Sequence, residues 1–346
     1  MDYKLLKVHT QEKMSIRPAS HAGTWYPNST VKLGSQLEGF FKQAHNVSSK
    51  PIKGARILIG PHAGFAYSGA RLAETFTVWD TSKVKRVFIL GPSHHVYFKS
   101  SALVSRYEYY ETPFGKLPVD VEVTKQLTGT EGSKGSRVFK YMSEDVDDDE
   151  HSFEMHTPFI YYKSKHLPQG VPLIIPIMIS GMGDRLSTDI VDALLPYLDD
   201  EENTFIISSD FCHWGSRFGY TKYLPQKSTK GIQEDDLINL RQSTKMKSTD
   251  LPIYQSIELL DREAMNIASA GSYSLWQQYI SVTSNTICGQ KPIGIILRLL
   301  EEYEKSGQSI VTGSKVFNWI NYSQSSEVHK YHDSSVSYAS GYVQLT

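Results

Sequence analysis

Two stretches of the chain place a histidine in the same local setting. RILIGPHAG at 56–64 and VFILGPSHH at 87–95 are short runs of Ile, Leu, Val and Phe that stop at Gly-Pro and then present His62 or His94. Imidazole ligates metals and carries protons near neutral pH, so histidines in matching positions mark a candidate reactive centre. A third apolar run ends comparably in FIISSDFCHWG at 205–215, with Asp210, Cys212 and His213 just beyond it. Cys288, in SNTICGQKPIG at 284–294, adds a thiol in a loop just ahead of a helical segment. A thiol near a helix start is expected to have its pKa drawn below the usual value of about 8.5, which favours thiolate ligation. Each of these residues has a structural alternative: histidines cap turns, Asp210 can cap a short helix, and buried cysteines are mostly inert. Delivery of such groups to one edge by three separate runs favours a shared site over capping.

Two further stretches can join it. RPASHAGTWYP at 17–27 carries His21, Trp25 and Tyr26, either beside the site or in a packed N-terminal arm. SFEMHTPFIYY at 152–162 sets Glu154 and His156 two apart, with a proline that fits the first turn of a helix.

The elements that position these groups are legible in outline. RILIG (56–60), RVFIL (86–90), VPLIIPIMIS (171–180) and NTFIISS (203–209) are continuously apolar and β-branched, as strands buried on both faces of a sheet are. Proline lacks the amide hydrogen that a central ladder needs, so each Gly-Pro is expected to end its strand. Helical spacing follows at 68–79 and 187–198, and again at 253–271 and 291–307, where Gly271 and Gly307 are candidate C-caps. Strands alternating with helices predict an α/β fold: three layers, with a mostly parallel central sheet flanked by helices. Ligands of such sheets bind above the carboxyl ends of the strands, where His62, His94 and Asp210 would then lie. The polar stretches 127–136, 143–150 and 226–250 read as surface loops, and the acidic run at 144–150 reads as solvated.

Composition narrows the function classes. Lys and Arg total 36 against 37 acidic residues, a balance that offers no field for nucleic acid or an anionic membrane. The sequence has no apolar run long enough to span a bilayer and MDYKLLKVHTQEKMSIRP lacks a signal-peptide core, so no membrane insertion is expected. Two cysteines cannot form a disulfide framework and suit a reducing compartment. Together these features point to a cytoplasmic protein; the nucleus is a second expected compartment, which composition does not address.

Seven motifs taken in order, SHAGTWYP, GPHAGFAYSG, LGPSHH, EMHTPFI, SSDFCHWG, NTICG and DSSVSYASGY, resemble the Memo family from about residue 16 to 343. The charged segments at 127–150 and 226–250 look like elaborations of a fungal member on one domain spanning 1–346. The resemblance implies a fold related to LigB-type class III extradiol dioxygenases. It implies a metal site at His62, His94 and Cys288 holding copper or iron, with no nucleotide cofactor. Asp210 and His213 are the implied catalytic pair beside the metal. Trp25, with His62, His94, His213 and Cys288, is the implied ligand- or peptide-binding surface. The family is associated with cell motility, invasive growth, receptor-peptide binding and metal-linked redox chemistry, which makes signalling proteins or peptides the expected partners. A ring-cleaving dioxygenase needs two histidines and a carboxylate on one face of iron; a thiolate in third place turns the preference toward copper(I), zinc or thiolate-bound iron.

Overall fold

The computed structural model describes residues 14–46, 50–227, 231–307 and 315–345. The first 13 residues and positions 228–230 of the polar 226–250 segment lie outside them. Among the described residues, nine strands form the central sheet, numbered here in chain order: β1 (Ala55–Gly60), β2 (Arg86–Pro92), β3 (Ala102–Val104), β4 (Phe139–Tyr141), β5 (Leu173–Ile179), β6 (Asn203–Ser208), β7 (His213–Trp214), β8 (Asn318–Gln324) and β9 (Ser335–Gln344). Their spatial order is β7-β9-β1-β6-β2-β5-β3-β4, with β8 also pairing with β9.

The four runs read as buried strands are β1, β6, β2 and β5, and they pair in parallel at the heart of the sheet. Their apolar continuity has the expected cause. Alternate residues such as Ile59, Leu90 and Ile207 enter one core with Leu194 and Leu297, while Leu58, Ile89 and Ile206 enter another with Leu72, Phe76 and Phe159. The helices of the described residues are α1 (Thr30–Ala44), α2 (Phe65–Val78), α3 (Val121–Gly129), α4 (Glu144–Asp149), α5 (His151–Glu154), α6 (Thr157–Ser164), α7 (Asp184–Asp199), α8 (Ile253–Ala270), α9 (Tyr273–Thr283) and α10 (Gln290–Lys305), and α2, α6, α7 and α10 supply those partners. Pro158 sits in the first turn of α6, and Gly271 caps α8 at a φ of 75°. Among the described residues, no helix is long and apolar enough to cross a membrane.

Three expectations are corrected. The sheet is mixed rather than mostly parallel: β9 runs antiparallel to β1, β8 and β7, and β3 runs antiparallel to β5. The connection from β8 to β9, residues 325–334, is short enough to turn the chain straight back, which forces that pair antiparallel. Second, Gly-Pro ends β1 but not β2, whose Pro92 still pairs in register with Ile179. Ser93 donates its amide to Ile179, so the Pro92 nitrogen faces the other side, where pairing with β6 has already stopped at Leu90. Third, the acidic run is not a solvated loop. It forms α4, and Asp147 and Glu150 are buried.

Arg17 explains that burial. Its Nε donates to Asp147 Oδ1 at 3.1 Å and to the Asp147 carbonyl, its Nη1 to Glu154 Oε2 at 2.7 Å, and its Nη2 to the carbonyls of Asp148 and Glu150. Tyr110 donates its hydroxyl to Asp147. Glu154 further accepts from Tyr26 Oη at 2.6 Å and from the His21 backbone and ring, both at 2.9 Å. The stretch 17–26 is therefore strapped to α4 and α5. Burial pushes the Glu154 carboxyl up, but its bonds from His21, Arg17 and Tyr26 outweigh that and pull it from 4.5 down to about 2.

A carboxylate with a depressed pKa adds stability above its unfolded value and loses it as pH falls through the folded one. Here the contribution of about 3 kcal/mol at neutral pH disappears between roughly pH 4.5 and 2. Glu154→Gln is accordingly expected to be much less stable than the parent in urea at pH 7, with the gap shrinking at pH 3. A gap that stays constant between those pH values contradicts the assignment.

Candidate metal centre

His62 follows Gly60-Pro61 at the end of β1, His94 follows β2, and Asp210 and His213 follow β6. All stand at the carboxyl ends of parallel strands. They line one cleft of 530 Å³ together with Trp25, Tyr67, His151 and Arg217. Cys288, in the loop before α10, stands behind His62 with its Sγ 3.1 Å from His62 Nε2. The structure thus brings together His62, His94, Asp210, His213, Trp25 and Cys288.

Each imidazole is held by its surroundings. His62 is buried, its backbone amide donating to Asp210 Oδ1 at 2.8 Å and its Nδ1 lying 2.7 Å from Ser208 Oγ. Burial, reinforced by the neighbouring His94 and His151, keeps its pKa well below 6.5. His94 bonds Glu150 twice, through its backbone amide and its ring Nδ1, both at 2.8 Å. A carboxylate only accepts, so Nδ1 carries the proton and Nε2 is left as the ligating atom. Burial raises the Glu150 carboxyl, but the His94 hydrogen bond and the charges of His94 and His151 bring it down to about 2. His213 directs Nδ1 at the carbonyls of Phe211 and Thr286, at 2.9 and 3.1 Å, so Nδ1 carries a proton.

His151 and Glu150 were missed by the sequence reading. The His151 ring stacks on His94 with centroids 4.1 Å apart and meets Trp25 at a tilt, at 4.6 Å. Burial, then the His94 charge, lowers its pKa to about 3. One ligand atom each from His62, His94 and His151 lie within 4.8 Å of one another. Clustered imidazoles, two of them oriented through Nδ1 by Ser208 and Glu150, form the donor set that a transition metal accepts, so the residues present fit such an ion. The available signal was EHSFEMH at 150–156, which sets an acid, then histidine, then acid and histidine along one short segment.

The expectation of an acidic thiol at Cys288 is not met. Burial, then the adjacent Asp210 charge, pushes its pKa well up, outweighing the hydrogen bonds that Sγ receives, among them one from the Asp210 amide at 3.2 Å. The Gly289 amide also donates to Ser209 Oγ, at 3.1 Å. Asp210 is not the cap of a short helix. Burial raises its carboxyl, His213 pulling the other way, and it braces the His62 turn.

A mixed α/β sheet carrying a histidine cluster over its parallel strand ends defines an α/β protein with a candidate metal site. The chain belongs to the Memo-like protein family, which it matches over residues 17–342. It is 43% identical over 343 residues to MEMO1 family protein MHO1 of Saccharomyces cerevisiae, covering 96% of this chain and 100% of that one. It is 40% identical to a MEMO1 family protein of Schizosaccharomyces pombe, with 94% and 98% covered. Protein MEMO1 of Xenopus laevis is 38% identical, with 94% and 96% covered. Of these three, the fungal proteins share more identity, consistent with a fungal member.

Gly289 sets how near the Cys288 loop approaches β6. A Cβ there would meet the Ser209 Cβ at 2.3 Å and the Ser208 carbonyl at 2.7 Å. Gly289→Ala is expected to lower stability by about 1–3 kcal/mol and to push the loop outward. Thermal unfolding reads the first effect, and faster reaction of Cys288 with a thiol reagent in the folded protein reads the second.

Proposed function

We propose that this protein binds a redox-active transition metal, copper or iron, through His62 and His94, with His151 or Cys288 as the third ligand. The observation that carries the reading is the convergence of three imidazole ligand atoms within 4.8 Å of one another, His94 being oriented from behind by Glu150. When bound, such an ion supplies one-electron chemistry. The protein would hold it through neutral imidazoles, shield one wall with Cys288, and offer His213 Nε2 as a proton acceptor beside it, with Asp210 fixing the His62 turn. This chemistry would underlie a role in cell motility and invasive-growth signalling, carried out by a single domain in the cytoplasm and nucleus.

A second reading makes the cleft a metal-independent scaffold for peptides or phosphorylated ligands. It is favoured by Trp25 and Tyr67, which line the cleft while remaining 36% and 63% exposed, and by Arg217, a cation on the same wall. The third reading is a LigB-like three-layer fold with extradiol dioxygenase activity. It ranks last, because the carboxylates beside the cluster are engaged by His62 and His94, whereas iron in such a triad takes one directly.

Anaerobic titration of the reduced protein with Cu(I) and Fe(II) tests the ranking. One ion per chain is expected, with losses beyond a hundredfold in His62→Ala and His94→Ala. The larger loss between His151→Ala and Cys288→Ser marks the third ligand, and about tenfold to a hundredfold marks a supporting residue. Absence of binding, together with partner capture that survives chelation, replaces the metal reading with the scaffold. Oxygen uptake on catechols by iron-loaded protein promotes the third.

A further inference from the structure

Behind His62 lies a second histidine that the cleft does not contain. His156 is buried at the start of α6, its Nε2 2.9 Å from Ser208 Oγ. The same hydroxyl lies 2.7 Å from His62 Nδ1 and donates to the Ser152 carbonyl at 2.6 Å. A serine hydroxyl has one proton and two lone pairs. With that proton given to a carbonyl, which only accepts, both rings must donate to Ser208.

We infer that Ser208 is a positioning residue that fixes His62 as its Nδ1–H tautomer, leaving Nε2 as the unprotonated nitrogen, with His156 as the second donor that fills the hydroxyl. A second observation agrees. His156, neutral because burial lowers its pKa to about 3, has its proton on Nε2, and its Nδ1 is buried without a partner among the described residues, as a bare nitrogen can be but an N–H would not. The bonds from His62 and His156 to Ser208 and from Ser208 to Ser152 thus run in one direction, and the tautomer needed for ligation through Nε2 exists before any ion arrives. The value of this arrangement to metal binding rests on the metal reading above, whereas the tautomer does not.

Long-range 1H–15N correlation spectra of the metal-free full chain, 15N-labelled at histidine, test the inference at neutral pH. His62 is expected to be protonated on Nδ1 and His156 on Nε2. Ser208→Ala should shift His62 toward the Nε2–H form and weaken Cu(I) binding about tenfold to a hundredfold. Ser208→Thr, which keeps the hydroxyl, should restore both, and His156→Phe should leave His62 on Nδ1. A wild-type His62 protonated on Nε2 overturns the inference whether or not any variant folds, as does a folded Ser208→Ala that retains the parent tautomer. Failure of the wild type to bind Cu(I) would fall on the metal reading and leave the tautomer result standing.

Discussion

Arg17 enters the interior only because all five of its N–H donors find acceptors there, on Asp147, Glu154, Pro18, Asp148 and Glu150. A guanidinium buried without such partners would cost several kcal/mol, and removing one partner of a buried pair typically costs about 3–5 kcal/mol. The charge therefore dictates the path of two segments distant in sequence. It draws α4 and α5 down onto the sheet, which brings Glu150 under His94 and His151 into the cleft. It also holds Glu154, whose second oxygen anchors His21 and Tyr26 and with them the turn that presents Trp25.

The cleft follows from that frame. Its histidines are crowded together, so their mutual repulsion adds to desolvation and disfavours protonation of His62 and His151. Crowded neutral imidazoles are poor partners for one another but good donors toward a cation. Glu150 supplies the compensating negative charge, and its depressed pKa keeps that charge present over the whole neutral range. Cys288 belongs to the same logic from the other side: with Asp210 adjacent and water excluded, its thiol is held in the protonated form until something removes the proton.

Much of the fold was legible because the four central strands are apolar on both faces, a pattern that only coverage from both sides explains. The flanking strands were not. β8 and β9 are rich in Ser, Tyr and Asn, and their pairing is set by a hairpin and by register rather than by hydrophobicity. His62 and His94 were legible for the same reason as their strands, since each follows one directly. His151 and Glu150 were not: they sit in an acidic segment whose composition reads as solvated, and what buries it is an arginine some 130 residues earlier.

The sequence by itself determined which strands form the parallel centre, and so which residues overhang their carboxyl ends, because those facts depend on local hydrophobic pattern and chain direction. Membership of the Memo-like family was likewise carried by local motifs. Only the tertiary structure decided which histidines meet, which nitrogen each one commits to a neighbour, and that the thiol stays protonated. Those outcomes depend on desolvation and on hydrogen-bond partners contributed from remote segments, and a linear pattern of residue types does not encode either.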